Sequence, residues 1–287
     1  MVRWTGLVAD RKPYRSDLSE AEWALIAPEL AAWREPRLAR KVSSNQPLHD
    51  LREIVNAILY VNRTGCAWEY LPHDFPPFKT VYGYFAAWRD DGTTERIHDL
   101  LRRRLRRARG RSEEPSAVAI DSQTVKASAN AQAETVGYDG NKKIKGRKRH
   151  IAVDTLGLLI VLGVSAASLA DSPVGRQVLD HVAYRAPSVS KAWVDGGYNA
   201  KVVEHGADLD IDVEVVRRDP HAGFSVLPRR WVVERTFGWF MLHRRLTRDY
   251  ETRQESSRTI IHWSMIGIMA RALADNSTPT WQEPRVT

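Results

Sequence analysis

AVAIDSQTV (117–125) and KAWVDGGYN (191–199) decide the fold. Each opens on a short apolar run and reaches an aspartate, Asp121 in the first and Asp195 in the second. Runs of this length, bounded by turn-forming residues, predict buried strands with the aspartates at their edges. A third stretch, RRWVVERTFGWF (229–240), predicts a helix anchored by Trp231, Phe237 and Phe240, with Glu234 on it. Mg²⁺ takes oxygen ligands and keeps several of its waters, so a few carboxylates suffice to hold it. Two such ions stabilise both the attacking and the leaving oxygen of a phosphodiester in an in-line displacement. Taken singly, each acid has a plainer explanation. Asp121 would cap a turn, Asp195 would form an Asp-Gly turn, and Glu234 would pair with Arg230 one turn earlier, worth about 0.3–0.5 kcal/mol. The three in this order, flanked by Arg and Lys, favour the metal reading.

Outward from these runs, RHIAV (149–153), LLIVLGVSA (158–166) and DVEVV (212–216) read as further strands. SPVGRQVLDHVAYR (172–185) reads as a helix with Ser172 or Asp171 as its cap and Pro173 in its first turn. Three strands followed by helix, strand, helix, strand, helix is an α/β order, a mixed five-stranded sheet with helices. Open α/β sheets place ligands at the carboxyl ends of strands. Asp154, in VDTLGL with Gly157, suits a hairpin turn, and His150 reads as an ordinary satisfied histidine.

The first part changes period. Ser19 and Glu22 form a capping box before a helix that buries Trp23, Ile26 and Leu30. Leu51, Ile54, Val55, Ile58 and Leu59 mark a second helix that Gly65 ends. Val81, Phe85 and Trp88 mark a third, with Lys79, Tyr82 and Arg89 on its other sides. Short turns between helices in a basic protein fit a helix-turn-helix-like domain, or equally a packing bundle. Ile97, Leu100, Leu101 and Leu105 define a fourth helix crowded with Arg102, Arg103, Arg104, Arg106 and Arg107, followed by Arg109 and Arg111. The division expected is a basic arm (1–15), a helical DNA-binding domain with an Arg-rich linker helix (16–111), a catalytic domain (112–275) and a polar tail (276–287).

Lys and Arg number 43 against 35 Asp and Glu, a net charge of +8 that favours anionic partners. Like charges this dense repel one another unless solvated or facing an anion, and guanidinium groups grip phosphates bidentately. The Arg102–Arg107 run is therefore expected to touch DNA backbone. So is a second cluster, Lys142, Lys143, Lys145, Arg147, Lys148 and Arg149, together with Arg230, Arg244 and Arg245. MVRWTGLVAD lacks the marks of a secretory signal, the longest apolar stretch is interrupted by Asp154, and Cys66 is the single cysteine. A cytoplasmic protein outside the membrane is expected.

The chain resembles the DDE transposases of bacterial insertion sequences, in the group that includes insertion-sequence families four and five. The resemblance rests on LSEAEWALIAPEL (18–30), on 51–101, on AIDSQTVKA (119–127), GRKRHIAVDTLGLLI (146–160) and VDGGYNA (194–200), and on 229–251. It implies an RNase H-like catalytic domain with Asp121, Asp195 and Glu234 as metal ligands. It also implies Mg²⁺, replaceable by Mn²⁺, and double-stranded DNA as partner, both terminal inverted repeats and target. Joining two ends implies a homo-oligomer, at least a dimer. The 39 residues from Asp195 to Glu234 leave no room for the inserted β-domain of some relatives. Where some relatives carry a Tyr, an Arg and a Lys around the glutamate, this chain has Leu227, Arg230 and Met241; the Arg fits and the other two depart, which counts against a hairpin-forming excision route like theirs. The competing expectations are an RNase H-like nuclease or resolvase without strand transfer, and a DNA-binding regulator on a transposase scaffold.

Overall fold

The computed structural model describes residues 11–39, 49–216 and 230–275. Most of the expected basic arm, with Arg3, lies outside them, as do Leu227 and the tail 276–287. Two compact units divide the chain, one taking in everything to Ala108 and from His262 on, the other Arg109–Ile261.

The first unit is helical: α1 (Glu20–Ala39), α2 (Leu51–Thr64), α3 (Phe78–Asp90), α4 (Thr93–Ala108) and the later part of α8 (Gln254–Leu273). The capping box forms, Ser19 N–H donating to Glu22 Oε2 at 2.9 Å and Glu22 N–H to Ser19 Oγ at 3.2 Å. Gly65 ends α2 in the left-handed region at φ 75°, a conformation that a Cβ would strain. The apolar stripes of α2, α3 and α4 are buried, with Leu100 the exception on α4 at the margin of its stripe. The sequence gives no warning of α8. Ile260, Ile261, Trp263, Met265, Ile266 and Met269 leave it apolar all round, so its burial shows no helical period. The expected second domain ran to 275, yet α8 from His262 onward belongs with the first unit. There the Trp263 ring lies 5.8 Å from that of Trp88, and Asn62 Nδ2 donates to Ser264 Oγ at 2.8 Å.

The second unit is built on one sheet. Its strands are β1 (Ala117–Lys126), β2 (Gly137–Asp139), β3 (Ile144–Asp154), β4 (Leu159–Ala166), β5 (Lys191–Val194) and β6 (Asp212–Val215). The order is β2-β3-β1-β5-β6, with β4 also paired to β3. Six strands thus replace the five expected, because a short β2 pairs with the start of β3. β1, β3 and β4 are antiparallel neighbours, while β1, β5 and β6 run parallel. Parallel strands need crossovers, and α5 (Asp171–Arg185) and α6 (Ala200–Asp208) provide them. Val178, Leu179 and Val182 of α5 close a core over Val118, Ile120, Ala192 and Val194. The helix α7 (Trp231–Met241) packs on β1 and β3.

Asp154 is fully buried at the β3–β4 turn, where its Oδ1 accepts from Leu156 N–H at 2.8 Å and Leu158 N–H at 2.9 Å. Gly157 completes that turn at φ 79°. The same turn fastens α7: Thr236 Oγ1 donates to Gly157 O and Arg235 Nη2 to Leu156 O, each at 2.8 Å.

Candidate active site

β1 and β5 pair in parallel from Ala117↔Lys191 to Ala119↔Trp193. Asp121 and Asp195 each follow the last pair by two residues, so the register itself brings the aspartates side by side. Asp195 comes directly after its strand. Asp121 does not, since β1 runs on to Lys126 against β3. It stands instead where β1 loses its parallel neighbour, which opens that side of the carboxylate.

Asp121 Oδ1 accepts from Ser122 N–H at 2.7 Å, and its Oδ2 accepts from Arg230 Nη2 at 3.0 Å. Burial pushes the Asp121 carboxyl up to about 6. The Ser122 N–H and Arg230 oppose that push, and the negative charge of Asp195 adds to it. Asp195 turns its Oδ1 to Gly197 N–H at 2.9 Å, so the Asp-Gly turn forms as well. Arg230 is the cap residue of α7, and Glu234 stands exposed one turn further along the same helix face. Asp121 and Asp195 are together. Among the described residues, no three His, Cys, Asp or Glu side chains gather closely enough to hold a metal ion, so Glu234 is not joined to the pair.

Two further residues neighbour the pair, one read otherwise in the sequence and one not singled out there. Asp171, expected as a helix cap, caps nothing with its side chain. Ala170 holds the cap position, and Asp171 Oδ1 accepts from Ser122 Oγ at 2.7 Å and pairs with Lys148 Nζ at 3.1 Å. Tyr198 is the other. Burial raises its phenol well above the ordinary value, and the charges of Asp121, Asp171 and Asp195 raise it further. Its only signal was an aromatic residue three positions past Asp195.

Several expected DNA contacts are instead interior. Arg147 is fully buried, donating to Thr135 Oγ1, Glu251 O and Thr252 O and pairing with Asp249 at 3.3 Å. Arg149, also fully buried, donates to Leu246 O at 2.8 Å, and desolvation lowers its pKa to about 10. Lys148 donates to Leu169 O, and Arg245 is buried against Glu251 at 2.7 Å. On α4, Arg102 and Arg106 are buried and the half-buried Arg104 donates to Leu25 O at 3.1 Å. Arg230 is engaged by Asp121. Arg147 and Arg149 have no exposed surface to offer a phosphate. Arg103, Arg107, Lys142, Lys143, Lys145 and Arg244 face solvent. His150 is buried, 2.8 Å from Ser165 Oγ, and burial pulls its pKa down to about 4.

A hard divalent cation fits the aspartate pair. The donors are carboxylate oxygens, the type such ions prefer, and a cation would offset the burial and like-charge repulsion that hold Asp121 up.

Two carboxylates side by side where a parallel strand pairing ends form an acidic site, and the comparisons say in which family it stands. Residues 18–98 match the family described as "Putative transposase of IS4/5 family". Residues 112–268, more than half of the chain, match the transposase DDE domain. The chain belongs to the DDE transposases, of the IS4/5 type. No curated protein and no solved structure matches it. DDE transposases generally use divalent metal ions. None of the described helices is long and apolar enough to cross a membrane.

Proposed function

We propose that this protein binds the terminal inverted repeats of its own insertion sequence and catalyses metal-dependent DNA cleavage followed by strand transfer. The observation that carries the reading is the register of β1 on β5, which sets Asp121 beside Asp195 where the parallel pairing ends. Asp121, Asp195 and Glu234 are the ligands of Mg²⁺, and Mn²⁺ substitutes. Bound there, the metal supplies an activated water and neutralises charge on the phosphodiester. The antiparallel β1, β3 and β4 beside the parallel β5 and β6 support an RNase H-like plan.

The protein's own groups orient the reaction. Ser122 N–H and Arg230 fix the two oxygens of Asp121, and the Gly197 N–H fixes Asp195. Glu234, exposed one helical turn after Arg230 on α7, would supply the third carboxylate of the set. The solvent-facing Lys142, Lys143, Lys145, Arg103, Arg107 and Arg244 grip phosphates, which sets the duplex without reading its sequence. The helical first unit reads the repeats in helix-turn-helix fashion, through Lys79 and Tyr82 on α3. Two ends require at least a dimer.

Asp121→Asn, Asp195→Asn and Glu234→Gln are each expected to abolish Mg²⁺-dependent cleavage while gel-shift affinity for the repeats is kept. Robust cleavage by one of them removes that residue from the ligand set. Joining of pre-cut ends to a plasmid separates a transposase from a nuclease with the same acids.

A further inference from the structure

Tyr198 takes no part in the chemistry above. It lies three residues past Asp195 and is 4% exposed. Its ring is seated on α5 at Gly175, where a Cβ would stand 2.5 Å from ring carbon Cε1. Only glycine there leaves room for the ring, so the backbone of α5 is shaped around this side chain. Its hydroxyl has no hydrogen-bond partner among the described residues. Buried phenols ordinarily find one, because a desolvated O–H without an acceptor is costly. A phenylalanine would fill the same core space without that cost.

The ring contact with Gly175 seats Tyr198 on α5, the helix that opens with Asp171, and Tyr198 itself follows Asp195 by three residues, so acidic side chains are its neighbours along both chain segments. Asp121, Asp171 and Asp195 are the charges that bear on it most, Asp121 first. Asp171 is already held by Ser122 Oγ and Lys148 Nζ. Each oxygen of Asp121 receives one donor, from Ser122 or Arg230, and a carboxylate oxygen accepts two. Asp121 therefore has room for a further donor, and a protonated phenol is a donor.

We propose that Tyr198 is a positioning residue of the acidic site, its hydroxyl donating to Asp121 when Asp121 and Asp195 close on a divalent cation. The hydrogen bond fixes the carboxylate's orientation and so strengthens cation binding, as partners of ligating carboxylates do elsewhere. This rests on the reading of Asp121 and Asp195 as ligands.

The test is Tyr198→Phe in the full-length chain, with Mn²⁺ binding followed by electron paramagnetic resonance in the absence of DNA. Wild type is expected to bind Mn²⁺ saturably, and Asp121→Asn to lose that binding. Tyr198→Phe keeps the ring on Gly175, so its Tm stays at or slightly above that of wild type. Its Mn²⁺ dissociation constant rises by about tenfold or more. The Mg²⁺ concentration for half-maximal cleavage rises by the same factor, with the rate at saturating Mg²⁺ close to wild type. If Tyr198→Phe binds Mn²⁺ as wild type does while Asp121→Asn does not, the hydroxyl has no such role and the proposal falls alone. If wild type shows no Mn²⁺ binding that Asp121→Asn removes, the ligand reading falls and takes the proposal with it.

Discussion

Along α4 the arginines divide by helix face: Arg102 and Arg106 are buried, while Arg103 and Arg107 face solvent. In the stretch 142–149 the division falls at a single residue, Gly146. Before it, Lys142, Lys143 and Lys145 are exposed; after it, Arg147, Lys148 and Arg149 are all buried. Gly146 marks the border because a Cβ there would stand 1.9 Å from Val125 O, so the chain presses onto β1 at that point. Beyond it both faces of β3 are covered. Arg147 and Arg149 reach the carbonyls of residues 246–252 on one face, and Lys148 and His150 meet Asp171 and Ser165 on the other. A helix lets a charge run keep one wet side. A strand with both faces covered does not.

The sharpest way to break that comparison is Arg147→Ala. Removing Arg147 takes away the ion-pair partner of Asp249, which is 2% exposed and keeps the Ser257 Oγ and Glu251 N–H donors and the charge of Arg149. Such losses cost about 3–5 kcal/mol. Thermal unfolding is expected to show a Tm lower by roughly 10 °C, with DNA affinity of the folded protein unchanged at permissive temperature. A variant that keeps its Tm and loses DNA affinity would put Arg147 on the phosphate track after all.

Asp121 sharpens the comparison from the acidic side, as an ionisable group held out of water. Its carboxyl titrates near 6 in the folded chain against an ordinary 3.8. Between those values the folded chain holds a proton that the unfolded chain has lost. Stability therefore falls as pH rises through that window and stays lower above it. Asp121→Asn removes this dependence. In metal-free buffer its Tm gain over wild type is expected to grow from pH 4 to pH 6 and then level off. A shift of about two units caps the gain at ~3 kcal/mol, and partial exposure keeps it smaller. A loss of stability that grows with pH would mean that the Arg230 ion pair outweighs burial.

What the sequence made legible follows the same physical divide. The stripes of α2 and α3 alternate apolar and polar at helical spacing, and they are buried as read. β5 was legible as KAWV, and Asp154 as a turn, because an apolar run and an Asp followed three residues later by Gly157 are local signals. α8 was not, since a helix apolar all round has no period to detect. Nor was the interior position of Arg147 and Arg149, whose partners Leu246, Asp249 and Thr252 lie about a hundred residues away in the chain. At the candidate site, Asp121 and Asp195 could be named from their runs. Tyr198 could not, because it lies in the loop after β5 and its burial is set by Gly175, on α5.

The smallest effect belongs to the exposed half of the comparison. Lys145 is solvent-facing on β3, just before Gly146, and pairs across the strand with Tyr138, itself 58% exposed. Replacing it with Ala removes no buried contact, so Tm is expected to stay within about 1 °C, as for surface changes generally. If Lys145 neutralises one phosphate, the slope of log affinity against log salt becomes shallower by about 0.9 on duplex DNA. At physiological salt that corresponds to a loss of roughly fivefold, on the order of 1 kcal/mol. The loss is expected to be equal for inverted-repeat and unrelated duplexes, because a phosphate contact carries no sequence information. Salt titrations by fluorescence anisotropy on both duplexes measure slope and specificity together. An unchanged slope would take Lys145 off the DNA, and the boundary at Gly146 would then separate buried charge from merely solvated charge.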